Sequence, residues 1–126
     1  MKTNKTILVI DDDDHIRRVI EIKLKKAGYD VIMAKNGAVG LDLIKTKEPD
    51  AVITDVMMPK MDGKAVCKIS NELKKERPFL TLVMTCSITV DEKLLMKDLQ
   101  DTIFMEKPFS PSRLVENIDS YFGIER

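Results

Sequence analysis

Five short apolar runs alternate along this chain with longer stretches of helical pattern. That alternation constrains the fold more than any other feature. The runs occupy residues 7–10, 31–34, 51–54, 79–84 and 103–105. Near-continuous runs rich in Val and Ile suit strands buried on both faces of a sheet. Between the first two, Ile16, Val19, Ile20, Leu24 and Ala27 form one apolar stripe at helical spacing, with Arg17, Arg18, Glu21, Lys23, Lys25 and Lys26 elsewhere. Gly28 stands where a helix ends in a left-handed residue. A second helix spans about 36–47, before Pro49. A third uses Val66, Ile69 and Leu73 and stops before Pro78. A fourth, about 90–99, carries Leu94, Leu95 and Leu99 but no capping glycine. The last begins at Ser110-Pro111, with proline at a favoured first position, and buries Leu114, Ile118 and Phe122. Parallel strands need crossovers of about a dozen residues, which is the spacing found. The expected architecture is α/β: a (βα)5 doubly wound parallel sheet with helices on both faces. At 126 residues the chain suits one domain, 1–126, and is too short for two ordinary cores.

Composition narrows the function. Lys+Arg and Asp+Glu both total 21, so the whole molecule has no general attraction for nucleic acid or an anionic membrane. No apolar run approaches membrane-spanning length, and residues 1–6 carry no signal-peptide pattern. Cys67 and Cys86 are too few for a disulfide framework and read as small core thiols. A cytoplasmic protein is expected. Its function must come from local charge.

In open α/β sheets, sites lie beyond the carboxyl ends of the strands. After the first run come Asp11 and Asp12, after the third Asp55, after the fourth Thr85, and after the fifth Lys107, followed by Pro108. Three carboxylates, a hydroxyl and an ammonium thus converge on one edge. Carboxylates with few other donors suit a hard divalent ion, Mg²⁺ above all. A carboxylate beside such an ion can attack phosphorus and form an aspartyl phosphate, with Lys107 and the metal neutralising the equatorial oxygens. A lone Asp after a strand is more often a turn or helix cap. That is the reading for Asp13 and Asp14, one of which should cap the first helix. His15 reads as an exposed first-turn residue. Residues 57–63 form a turn by their Pro and Gly, with methionines that fill gaps. Phe104 reads by default as strand core.

The segments Ile-Leu-Val-Ile-Asp-Asp-Asp (7–13), Pro-Asp-Ala-Val-Ile-Thr-Asp-Val-Met-Met-Pro-Lys-Met-Asp-Gly (49–63), Met-Thr-Cys (84–86) and Glu-Lys-Pro-Phe (106–109) resemble, in this order, the receiver domains of two-component response regulators, the CheY-like family. The resemblance spans about residues 5–121 and implies a strand order of 2-1-3-4-5. It implies that Asp55 is the phosphoacceptor, that Asp11 and Asp12 hold Mg²⁺ with the Met57 carbonyl, and that Thr85 moves toward the phosphoryl group. It also implies that Lys107 pairs with that group before a cis Lys107–Pro108 bond, and that Phe104 is the aromatic switch residue. Phosphorylation would then reshape the face of the fourth helix, fifth strand and fifth helix. The implied partners are a sensor histidine kinase or phosphotransfer protein and a downstream output protein or domain, with neither membrane nor nucleic acid bound by these residues. Such a domain is a switch, not a turnover enzyme, although it catalyses its own phosphorylation and dephosphorylation.

Three departures stand out. Cys86 replaces a usual alanine. Gln100-Asp101 replaces the usual Gly-Ala, leaving the fourth helix without its left-handed glycine. Met57 and Ser87 flank the path of attacking water, and Met57 cannot orient it, so self-dephosphorylation should be slow. The rivals fit less well. A haloacid dehalogenase-type phosphatase needs a second acid two residues after its nucleophile, where Met57 stands. A flavodoxin-like carrier needs a small-residue phosphate cradle where Asp11 to Asp14 stand. A calcium loop fails at His15 and Arg17. A degenerate receiver acting as a binding module would lack acceptor-site residue types that are all present here.

Overall fold

A computed structural model describes residues 2–55, 63–85, 101–106 and 110–125, with the backbone alone for residues 63–65, 67 and 85. The elements run β1 (Thr6–Ile10), α1 (Asp14–Lys26), β2 (Asp30–Ala34), α2 (Gly37–Lys47), β3 (Ala51–Asp55), α3 (Gly63–Leu73), β4 (Leu80–Thr85), β5 (Thr102–Glu106) and α4 (Pro111–Phe122). The helix expected at 90–99 lies outside the described residues, as do Met57, Cys86, Ser87, Lys107 and Pro108. The five strands form one parallel sheet ordered β2-β1-β3-β4-β5, the order the resemblance implies.

Alternation along the strands sorts the core into two layers. Ile7, Val9, Ala51, Ile53, Leu82 and Met84 pack with Ile20 and Leu24 of α1 and with Leu114, Val115 and Ile118 of α4. Leu8, Ile10 and Val52 pack on the opposite face with Leu41 and Ile44 of α2 and Val66 of α3. Gly40 lets α2 approach β1, since a Cβ there would come 2.3 Å from Ile10 Cδ1.

The helix ends follow local chemistry. Asp13 caps α1 by accepting from the His15 and Ile16 amides. Gly28 follows α1 at φ 95°, where a left-handed residue closes the helix. Asn36 caps α2 through the Val39 amide. Ser110 caps α4 ahead of Pro111, and Gly123 ends it at φ 68°.

Three expectations need correction. β2 and β5 are not buried on both faces: most of their residues are partly or fully exposed, because both are edge strands. Ile69 lies on the outer side of α3, 37% exposed, while Ser70 is fully buried. Phe122 is half-buried, between Tyr29 and Tyr121.

The lower edge of the sheet is tied by polar contacts. Asp50 N–H donates to the Thr6 carbonyl at 2.8 Å, and the Thr6 N–H donates to Asp50 Oδ2, also at 2.8 Å. Arg77 braces this corner, donating to the Pro49 carbonyl at 2.6 Å. Asp101 takes the left-handed conformation itself, at φ 47°, which Asp tolerates better than most residues. Its carbonyl accepts from the Thr81 amide at 2.8 Å and from the buried Lys74 Nζ at 3.1 Å. Its carboxylate accepts from the Tyr121 hydroxyl at 3.2 Å. Two buried polar groups link α1's end to α4: the Tyr29 hydroxyl donates to Asp119 Oδ1 at 2.5 Å.

Asp50→Ala removes the acceptor of the Thr6 amide, so stability to urea should fall by about 1–2 kcal/mol, the cost of an unmade hydrogen bond at a part-buried donor. The Tyr121 phenol is pushed up from 10.0, first by burial and then by the Asp101 carboxylate. A raised folded value means the folded state holds this proton more tightly than the unfolded state. Its contribution is therefore intact below about pH 10 and is lost as pH rises beyond that value. The alkaline loss of melting temperature should be steeper in wild type than in Tyr121→Phe.

Candidate functional site

The register of β1 against β3 places the acids. Ile7 pairs with Ala51 and Ile10 with Thr54, so the next residues on the two strands are Asp11 and Asp55. Neighbouring strands lie about 4.8 Å apart. Asp11 shares the face of Ile7 and Val9, and Asp55 that of Ala51 and Ile53, so strand alternation sends both carboxylates to the α1 side. Asp12 joins them from the start of the β1–α1 turn. One oxygen from each of Asp11, Asp12 and Asp55 can be chosen so that all lie within 4.8 Å of one another.

The environments of the three differ. Asp11 is fully buried and Asp55 is 5% exposed, whereas Asp12 is exposed. Asp11 is fixed by its surroundings: its N–H donates to the Ala34 carbonyl at 3.1 Å, and its Oδ1 accepts from the Asp13 N–H at 2.9 Å. The other two acids of the run do separate work. Asp13 caps α1, and Asp14 pairs with Arg17. The other nitrogen of the Arg17 fork, Nη1, donates to the Asp11 carbonyl at 2.6 Å. His15 is exposed in the first turn, as its position predicts.

A donor set of three carboxylates, one open to solvent, fits a hard divalent cation that keeps part of its water shell. Without one, like charges this close repel by about 1 kcal/mol per pair even in water, and by more where partly buried. The N-terminus of α1, directly after the turn, offsets part of that repulsion through its dipole.

The remaining candidates are placed by the backbone. Thr85 ends β4, one residue beyond Met84, which pairs with Asp55, so its position borders the acids. Phe104 lies mid-β5, paired with Val83, and is half-buried on an edge strand. The site gathers Asp11, Asp12 and Asp55. Lys107, Met57 and Ser87 lie outside the described residues.

The sequence pattern does not single out Arg17 or Lys74. An acid and an arginine three residues apart in a first helical turn were a readable signal for the Asp14–Arg17 pair. Nothing local marks the reach of Arg17 to the Asp11 carbonyl.

The model of the response regulator receiver domain family matches residues 7–119. The chain belongs to that family. It is 41% identical over 108 residues to the alkaline phosphatase synthesis transcriptional regulatory protein PhoP of Bacillus subtilis, covering 86% of this chain and 44% of that protein. It is 40% identical over 114 residues to the probable transcriptional regulator ycf27 of Porphyridium aerugineum, covering 90% of this chain and 46% of the relative. The chain thus spans just under half the length of these curated relatives. Its fold superimposes on the chemotaxis protein CheY4 of Vibrio cholerae with a TM-score of 0.84 at 27% identity, covering 94% of this chain and 98% of that one.

The receiver domain is a signalling switch of two-component systems with a phosphoacceptor role, and the phosphatase and cofactor-carrier readings give way to it. Among the described residues no helix is long and apolar enough to cross a membrane.

In metal-free buffer, Asp55→Asn should stabilise the receiver domain by on the order of 1 kcal/mol through relief of like-charge repulsion. The same variant should gain less melting temperature than wild type when Mg²⁺ is added. Paired melts in a chelator and in Mg²⁺ measure both effects.

Proposed function

We propose that Asp55 accepts a phosphoryl group from a phosphohistidine on a sensor histidine kinase or phosphotransfer protein. The observation that carries this reading is the meeting of buried Asp55 with Asp11 and Asp12 at one end of β1 and β3. In the proposed step an Asp55 oxygen forms the new P–O bond in line as the donor's N–P bond breaks, and the imidazole leaves. Asp11 and Asp12, with the Met57 carbonyl, would hold Mg²⁺, which when bound neutralises phosphoryl charge during transfer. Asp11 serves this role from a fixed backbone and Asp12 from the open side. Lys107 would neutralise the phosphoryl group, and the Thr85 hydroxyl would hydrogen-bond one of its oxygens. The domain thereby catalyses its own phosphorylation and, more slowly, its own dephosphorylation.

The readout follows from the added charge. A phosphoryl group brings strong acceptors to the edge where Thr85 sits. Thr85 moves toward it, and Phe104, half-buried on β5, turns inward. The face made by the predicted 90–99 helix, β5 and α4 changes with them. We take residues 1–126 as a single receiver domain working in the cytoplasm. The relatives named above are transcriptional regulators about twice as long, which supports transcription control as the output, through a further domain or a partner protein. Nucleic acid is not bound by these residues themselves.

Incubation with acetyl phosphate and Mg²⁺, read by intact mass, tests the reading. Wild type should gain one phosphoryl group, and Asp55→Asn none. The adduct should outlast minutes after donor removal, because Met57 cannot orient attacking water. A phosphorylated Asp55→Asn protein, or wild type left unmodified by both this donor and a competent kinase, would sink the assignment.

A further inference from the structure

Arg17 lies off the buried stripe of α1, where a long cationic side chain ordinarily reaches into water. It does not do so here. Its side chain is 15% exposed, against 89% for its ion-pair partner Asp14. The fork turns back along the helix and spans the β1–α1 turn. Nη1 donates to the Asp11 carbonyl at 2.6 Å and Nη2 meets Asp14 Oδ1. The Asp11 carbonyl belongs to the same peptide plane as the Asp12 amide. That plane lies just past the last β1–β2 pair, Ile10 with Ala34, and past the Asp11 N–H bond to the Ala34 carbonyl. Its oxygen is held by Arg17, beside the Asp13 N–H that the Asp11 carboxylate accepts.

We propose that Arg17 is a positioning residue for the acidic site. By clamping the Asp11 carbonyl to Asp14 it fixes the turn that presents Asp12 beside Asp11 and Asp55, and so sets the affinity for a hard divalent cation. This rests on the metal reading of the three carboxylates given above. Groups that orient metal ligands without touching the metal typically matter about 10–100-fold in affinity. A planar two-nitrogen donor suits the task, because the compact ammonium of lysine cannot serve both acceptors in the same geometry.

The sign of the effect separates geometry from charge. A guanidinium near a cation site repels the cation, and its removal also frees the Asp14 carboxylate. If Arg17 acted through charge alone, Arg17→Ala would therefore bind Mg²⁺ more tightly. Positioning predicts the opposite.

The test is a titration of Mg²⁺ into ¹⁵N-labelled full chain, following backbone amide shifts. The same spectra report whether each variant is folded. Arg17→Ala should bind about tenfold or more weakly than wild type. Arg17→Lys keeps the charge and most of the aliphatic stem, and should stay weak, while Asp14→Asn should remain within roughly twofold of wild type because its side-chain amide oxygen can still accept from Nη2 and both arms of the clamp are kept. Equal or tighter binding by Arg17→Ala overturns the proposal, and so does full rescue by Arg17→Lys. If Arg17→Ala fails to fold, the lysine variant decides alone. Absence of Mg²⁺ binding by wild type overturns the metal reading itself, a distinct result from normal binding by the variants.

Discussion

The reciprocal pair of hydrogen bonds between Thr6 and Asp50 sets the level at which β1 and β3 begin. Everything at the other edge depends on it. Both strands then climb five residues in parallel, a rise of about 16 Å, and deliver Asp11 and Asp55 side by side. A slip of one residue would send every side chain of a strand to the wrong face. It would separate the two acids and invert the two core layers together. The polar corner and the apolar pattern enforce the same register, so the acidic site inherits its precision from the packing of Ile7, Val9, Ala51 and Ile53.

Such a site is held against its own electrostatics. Two buried carboxylates and a third in solvent gain nothing from one another. The core, the cap at Asp13 and the start of α1 hold them in place all the same. In the proposed function that arrangement is a preformed setting for a cation and a phosphoryl group, as functional sites commonly require.

Much of this was legible in the residues. Central strands buried on two faces read as continuous apolar runs, which is why β1, β3 and β4 are plain in the sequence. The acids stand out because they follow those runs directly. What sequence could not supply was set by contacts between distant segments. β2 and β5 look as apolar as the central strands, and only the strand order leaves them at the edges. Ile69, expected inside, faces outward, and the neighbouring Ser70 takes the buried place on α3. Asp101 takes a left-handed conformation one residue beyond the position of the expected glycine, held by Lys74 and Tyr121 from elsewhere in the chain. Lys74 and Asp119 look like solvated charges until their partners are seen. The choice between Asp13 and Asp14 as cap was open locally and was settled by which carboxylate faced the first amides.

The sheet order has a consequence for how the molecule is made. β1 leaves the ribosome before the other four strands of its sheet, yet it sits inside the sheet between β2 and β3. By residue 55 the nascent chain already holds all three neighbouring strands and all three acids of the site. β4, β5 and α4 arrive later and extend the sheet in one direction only. The fold is therefore vectorial: the three acids are complete in sequence before the later strands have been translated. Long-range strand pairing is the slow part of assembling such a sheet. Here the β1–β3 pairing that builds the acidic edge becomes available before β4 and β5 exist.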